Sequence, residues 1–397
     1  MTSRRVRAAL VGLLVAGLSA GCGLGSSGES DTGPGSPIKI GTLLSVTGPA
    51  ANLGDKMRKG AEMAVEEINA DGGINGRKID WVFYDPAGDT STAVQQTRRM
   101  LDSDGVDVLV GGGAMSGIAL AMNPSAAESG TVFVATEGAR QIVQPATEHP
   151  LSFKTTFNDT AMVQRVIDFW KSKGITRAAF LPDTSSFGQS ALEEMERLAP
   201  AAGIKVDVAA FDPAATDLMP QIKRLAANKP QAYLAWTTSP SGVTFLKNVR
   251  SVVTDDKVMV MHGFGFVDDR YMQQAGEAGK GTILVSPKLP VVDKLPADDV
   301  QKPVIEEFTA AYAKRYQGEQ PNVYAGQAYD AMMVAAEALK ANDGSTEGAS
   351  LAKAIEGLGE HVGVTGVFRY TNEDHSGLAP SDAAMIQWDG SRFVPAS

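Results

Sequence analysis

Residues 47 to 85 read TGPAANLGDKMRKGAEMAVEEINADGGINGRKIDWVFYD, and an apolar run, IKIGTLL, precedes them at 38 to 44. That run has the length of a buried strand, and Ser45, Thr47, Gly48 and Pro49 end it in an open polar loop. Beyond Gly54, the apolar residues Met57, Ala61, Ala64, Val65 and Ile68 recur at helical spacing. Asp71-Gly72-Gly73 stops that helix, because glycine accepts the left-handed backbone that a helix end commonly needs. Lys78 to Tyr84 then predicts a second strand, and a helix-bridged crossover of this length joins parallel strands. Open α/β sheets bind small molecules at the loops on the carboxyl ends of such strands, so the loop at 45 to 49 marks the first half of a cleft.

The same pattern continues along the chain. Strands are expected near 38–44, 78–84, 106–111 and 131–135, with helices near 54–69, 90–103 and 116–128. Further strands are expected near 177–182, 204–211, 231–237 and 257–262. Alternation of this kind predicts parallel sheets covered by helices on both faces. A length of 397 residues, or 376 once an N-terminal signal of 21 is set aside, exceeds what one hydrophobic core usually organises. Two lobes are therefore expected.

The G-G-I-N-G-R turn at 72–77, the aspartate after the second strand, and the segments 41–90, 106–139, 180–190 and 321–333 together resemble the branched-chain amino-acid (Leu/Ile/Val) family of type I periplasmic solute-binding proteins. The resemblance covers nearly the whole chain after residue 37. It implies an α/β type I periplasmic-binding-protein fold, with two doubly wound parallel-sheet lobes joined by three crossover segments. The matching crossings are Phe153 to Phe157, Ile283 to Leu289, and about Gly366 to Asn372. Lobe 1 would then comprise 38–154 and 286–365, and lobe 2 155–285 and 366–397. Helices near 303–316, 324–340 and 349–358 should return to lobe 1, while the tail from Ala383, with an Asp389-Gly390 hairpin signal, should close on lobe 2.

The first 21 residues read as a secretory signal: Arg4, Arg5 and Arg7 precede an apolar stretch from Ala8 to Ala20. Its end, Leu18-Ser19-Ala20-Gly21-Cys22, matches the bacterial lipobox, whose cysteine thiol is acylated and becomes the first mature residue. The alternative, a short membrane helix with an incidental thiol, has about 13 apolar residues against the roughly 20 that a spanning helix needs. Acylated Cys22 would anchor the chain in the lipid bilayer on the outer face of the cell membrane. It is the sole cysteine, so no intrachain disulfide can form. Residues 22–37, rich in Gly, Ser and Pro, read as a tether. Arg4-Arg5 leaves twin-arginine export open beside ordinary secretion. Cleavage removes three arginines and takes the formal net charge from −10 to −13, and an acidic chain without basic blocks argues against nucleic acid as a partner.

The resemblance also places candidate ligand-binding residues. Gly111-Gly112-Gly113-Ala114-Met115-Ser116-Gly117 follows a buried-strand run and precedes a helix, so Ser116 either donates to a ligand carboxylate, as the family's serine does here, or caps its helix. The next strand ends Thr136-Glu137-Gly138-Ala139, in a loop where the family binds through amides and a hydroxyl. Glu137 either accepts from a ligand or pairs with Arg140 at the surface. In lobe 2, Phe187 stands where the family has an aromatic ring against the ligand, and Trp236 is either cleft wall or core. Phe264 replaces the glutamate that pairs with the ammonium of an amino-acid ligand, and Tyr324 falls at another aromatic contact. An unpaired ammonium in a closed cleft is costly, so a free amino acid needs Glu137 to take that glutamate's place, and the aromatic cleft favours an aromatic or aliphatic carboxylate, or an amide, over a polar amino acid.

Other functional classes fit less well. The glycines around Ser116 are not at the positions that a G-x-S-x-G hydrolase turn requires, and His149, His262, His361 and His375 lack metal-ligand spacing. Neither a Walker A nor a dinucleotide motif is present, so a serine hydrolase is a remote alternative and no cofactor is expected. The resulting expectation is a monomeric, lipid-anchored receptor that delivers a small organic ligand to an ABC permease. A sensory lipoprotein docking to a receptor kinase needs the same lobe closure and remains the alternative.

Overall fold

The computed structural model describes residues 35–396, so the signal, Cys22 and the tether as far as residue 34 lie outside the described residues. The chain first lays down β1 (Ile38–Leu43), α1 (Ala51–Ala70), β2 (Ile79–Tyr84), α2 (Thr90–Asp102), β3 (Val108–Val110), α3 (Ser116–Ser129), β4 (Val132–Ala135) and β5 (Ser152–Lys154). These strands form a parallel five-stranded sheet in the order β2-β1-β3-β4-β5. The quoted stretch folds as read, with α1 starting three residues earlier than expected. Gly72 and Gly73 stop it with φ of 102° and 84°, a region that side chains with a Cβ avoid.

The chain continues through α4 (Asp159–Ser172), β6 (Arg177–Pro182), α5 (Ser186–Ala201), β7 (Lys205–Val208), α6 (Met219–Ala226), β8 (Ala232–Trp236), α7 (Ser241–Val252), β9 (Met259–His262), α8 (Asp269–Ala275) and β10 (Ile283–Ser286). Then come α9 (Gln301–Arg315), α10 (Val323–Ala341), α11 (Gly348–Glu356), a small hairpin of β11 (His361–Val362) and β12 (Val367–Phe368), and finally β13 (Ala384–Trp388) and β14 (Phe393–Pro395). The second sheet has seven strands in the order β14-β13-β10-β9-β8-β6-β7, parallel from β7 to β10 and antiparallel at β13 and β14. Asp389 opens the turn of the expected tail hairpin, its N–H donating to the Arg392 carbonyl at 3.0 Å.

Helix α10 packs along α1, and α11 against β4, so these two late helices cover the first sheet. Two expectations need correction. Residues read as connection carry strands: β5 in the first crossing, and β10 in the second, where it extends through Ser286, one residue past the expected boundary. β5 runs into Thr155, Thr156 and Phe157 without a glycine or proline, so the sequence offers no punctuation there, whereas Pro287 directly after Ser286 marks the end of β10. The side chains of β1, β3 and β4 are almost wholly buried, as parallel strands covered on both faces must be.

Candidate functional site

The carboxyl ends of both sheets face one cavity of about 320 Å³. Three turns that open helices reach it: residues 114–117 before α3, 184–187 at the start of α5, and Thr238 and Ser239 before α7. A helix start presents amides without intrahelical acceptors and the positive end of the helix dipole. Glu137 is the only Asp, Glu, Lys, Arg or His in the lining. Among the described residues, the donors that these helix starts present to the cavity are therefore neutral.

Ser116 is the first residue of α3 rather than its cap; Met115 holds the cap position and makes no side-chain cap bond. The buried Ser116 hydroxyl oxygen accepts the Ala139 N–H at 3.2 Å, which leaves its own proton for another acceptor. Thus α3 and the 137–139 loop are tied together behind the polar wall. Gly138 lines the cavity, whereas Ala139 is fully buried outside the lining and acts through this bond.

Glu137 lines the cavity but turns back into its own lobe. Its carboxylate accepts from the Ala114 N–H at 3.1 Å, the Thr136 N–H at 2.9 Å and the Thr136 hydroxyl at 2.8 Å. Burial pushes this carboxyl up to about 7, against the pull of those donors and of Lys154. The expected alternative, a surface pair with Arg140, is not formed. The Arg140 guanidinium lies 2.8 Å from Glu193 and 2.9 Å from Glu194, both on α5. This pair crosses from one sheet's loops to the other's helix. Arg140→Ala should therefore favour the open form. Because Arg140 and Glu193 are partly exposed, and buried Glu194 keeps Arg197 as a partner, the cost should be about 0.5–1 kcal/mol, or roughly 2- to 5-fold in affinity, shrinking as salt is added. Titration calorimetry at two ionic strengths would measure it.

The opposite wall is aromatic. Phe187 and Phe264 line the cavity with ring centroids 5.2 Å apart, edge to face. Trp236 lies behind them, at 5.9 Å from Phe187 and 5.6 Å from Phe264, fully buried and outside the lining. Its indole N–H donates to Asp159 at 3.2 Å. Trp236 is thus core that backs the wall, and Thr238 is the residue of that turn that reaches the cavity. Phe187 is set by buried Asp183, which accepts from the Ser185 N–H at 3.0 Å and from the Thr237 hydroxyl at 2.6 Å, pinning two turns to one carboxylate.

Tyr324 closes the cavity. Asn322 caps α10 by accepting from the Tyr324 and Ala325 N–H groups, both at 3.1 Å, and donates to Asp268 at 2.7 Å. The Tyr324 hydroxyl then donates to the Gly265 carbonyl at 2.6 Å, bridging the first-sheet helix to the second-sheet turn. Sequence reading missed Met57, Thr156 and Gln327 in the lining, and it missed Lys154 behind the loop. Gln327, a polar residue amid the apolar face of α10, donates to Thr156 at 2.8 Å. Lys154, a lone cation between Phe153 and Thr155 at a strand end, was the signal to have followed.

A family model described as periplasmic binding protein matches residues 37–392. The chain is 26% identical over 365 residues to a leucine-, isoleucine-, valine-, threonine- and alanine-binding protein of Pseudomonas aeruginosa, across 88% of this chain and 90% of that one. An extracellular ligand-binding receptor from Rhodopseudomonas palustris HaA2 superposes with a TM-score of 0.83 at 22% identity, over 91% of this chain and 99% of that one. A solute-binding protein of an ABC transporter from Rhodopseudomonas palustris BisB5, solved in complex with 3,4-dihydroxybenzoic acid, gives 0.76 at 21% identity, over 91% and 96%.

Proposed function

This chain belongs to the periplasmic binding protein family, in the type I branch of the Leu/Ile/Val-binding proteins, and we propose that it captures a small organic carboxylate with an apolar body for an ABC importer. The family is made up of solute-binding proteins acting outside the cytoplasm, so capture without chemical change is the premise. In this reading lobe 1 (38–154 and 286–365) and lobe 2 (155–285 and 366–397) close on the ligand. Acylated Cys22 holds the monomer to the bilayer near its permease.

One observation carries the choice of ligand: the cavity offers helix starts, the Ser116 hydroxyl and the Gly138 amide on one side, and Phe187, Phe264 and Tyr324 on the other. An α-ammonium would find one carboxylate, Glu137, whose oxygens already hold three donors, and otherwise neutral acceptors such as the Gln327 amide oxygen. A neutral apolar body avoids that desolvation cost, so a carboxylate without an amine fits better than a free amino acid.

A thermal-shift screen of leucine, isoleucine, benzoate, 3,4-dihydroxybenzoate, 4-methylpentanoate and the matching amides tests this. A ligand at a hundred times its Kd should stabilise the native state by about 2.7 kcal/mol. Ser116→Ala removes a hydrogen bond to a charged group, so affinity for the best carboxylate should fall about 10-fold while the apo melting temperature moves little. Leucine outranking every carboxylate without an amine would overturn the ligand assignment, and equal carboxylate affinity in parent and Ser116→Ala would overturn the site.

A further inference from the structure

Lys154 ends β5, is fully buried, and lies outside the cavity lining. Its ammonium donates to the Gly138 carbonyl at 2.8 Å, the Ala139 carbonyl at 3.3 Å and the Glu137 carbonyl at 3.4 Å. Three donors thus meet three consecutive carbonyls of one loop. No carboxylate lies within ion-pair distance of it among the described residues. A buried cation held only by peptide oxygens is an expensive device if it does nothing more than fill space.

A planar trans peptide points its N–H away from its C=O. Drawing the Glu137 carbonyl back onto Lys154 therefore turns the Gly138 N–H the other way, on a residue that lines the cavity. That N–H has no acceptor among the described residues. Drawing back the Gly138 carbonyl likewise turns the Ala139 N–H onto the Ser116 oxygen, whose remaining proton is free to donate.

We infer that Lys154 is a positioning residue for the ligand's carboxylate, holding the 137–139 loop by its carbonyls so that the Gly138 amide and the Ser116 hydroxyl face the cavity. The inference rests on the carboxylate reading proposed above. It also makes carboxylate capture proton-linked. Burial pulls Lys154 down to about 7, while Asp159 on α4, Asp374 in the loop beside β5 and Glu137 oppose that shift. The Tyr370 hydroxyl donates to the Lys154 carbonyl at 3.0 Å, and the Lys154 N–H donates to the His375 carbonyl at 3.1 Å. An arriving anion favours the charged lysine, so binding at pH 8 should draw in protons.

The probe is whichever of benzoate, 3,4-dihydroxybenzoate and 4-methylpentanoate gives the largest thermal shift, paired with its primary amide. In Lys154→Met, affinity for the carboxylate should fall at least about 10-fold and affinity for the amide by no more than about 3-fold, since a charge-assisted bond is lost only for the anion. Lys154→Arg should restore the carboxylate preference to within about 3-fold. Arginine keeps its proton at pH 8, so calorimetry in buffers of different ionisation enthalpy should show less proton uptake for it than for the parent. Burial pushes Glu137 and Asp159 up as well, and a permanently charged arginine beside them holds both carboxyls lower, so their share of the uptake also falls in Lys154→Arg. An unchanged carboxylate-to-amide ratio in Lys154→Met overturns the inference alone. If that variant does not fold, equal proton uptake by the parent and Lys154→Arg overturns it. A parent that binds none of the three acids, or prefers their amides, overturns the carboxylate reading and this inference with it.

Discussion

A Trp236→Ala chain is expected to lose about 3–5 kcal/mol of stability, the cost of emptying a fully buried aromatic site. Trp236 sits at the end of β8, fully buried, with Phe180 at 6.3 Å and the two cavity rings at under 6 Å from its own ring centroid. Its N–H donates to the buried Asp159 carboxylate at 3.2 Å, which the Ser190 hydroxyl also supports. Truncation would therefore open a void and strip a buried carboxyl of that donor, two losses that add. Trp236→Phe refills most of the void but still lacks the N–H, so it should cost less, about 1–3 kcal/mol. Urea unfolding of the three proteins measures both steps. An alanine variant with the parent's midpoint would mean that Trp236 is a dispensable surface of the site and not its backing.

The same residue shows where sequence reading reached its limit. Trp236 follows a buried-strand run, and its position there left cleft wall and core equally open. The strand stops at Trp236 and the chain turns, which leaves the indole under the wall and carries Thr238 into the cavity. Local pattern was enough for the quoted stretch, because apolar spacing, a polar loop and two glycines all act within a few residues of one another. Ser116, Gly138, Phe187, Phe264 and Tyr324 were legible for a related reason: each lies at a strand end or helix start, where α/β sheets gather their ligands. Glu137 was legible as a cavity residue, but the direction of its carboxylate was not. Its orientation depends on Gly112, where a Cβ would stand 2.2 Å from the carboxylate, and on the Ala114 amide, both on a different strand's loop. Lys154 reaches carbonyls at least fifteen residues before it, and no periodicity announces a contact of that kind.

Gly138→Ala should separate closure from folding more sharply than any other single change. A Cβ at Gly138 would lie 2.7 Å from ring carbons of both Phe187 and Phe264, which belong to the other sheet's loops. Real Cβ contacts are not that short, so either the rings shift or the two sides stay apart. In the proposed clamshell this clash exists only when the lobes meet, and the open apo form does not feel it. Overpacking of about 1–3 kcal/mol then falls wholly on the closed state, which translates to roughly 5- to 150-fold weaker ligand binding. The apo melting temperature should move little. Gly265→Ala is the matched control, since its Cβ would meet Phe187 and Thr238, each at 2.8 Å, within the second sheet's own loops. That variant should lose apo stability as well as affinity. Small-angle scattering with and without the best carboxylate completes the test: the parent should contract on binding, and Gly138→Ala should contract less at equal saturation. If Gly138→Ala bound as tightly as the parent, or lost as much apo stability as Gly265→Ala, the two walls would not be moving parts and the capture mechanism would fail with them.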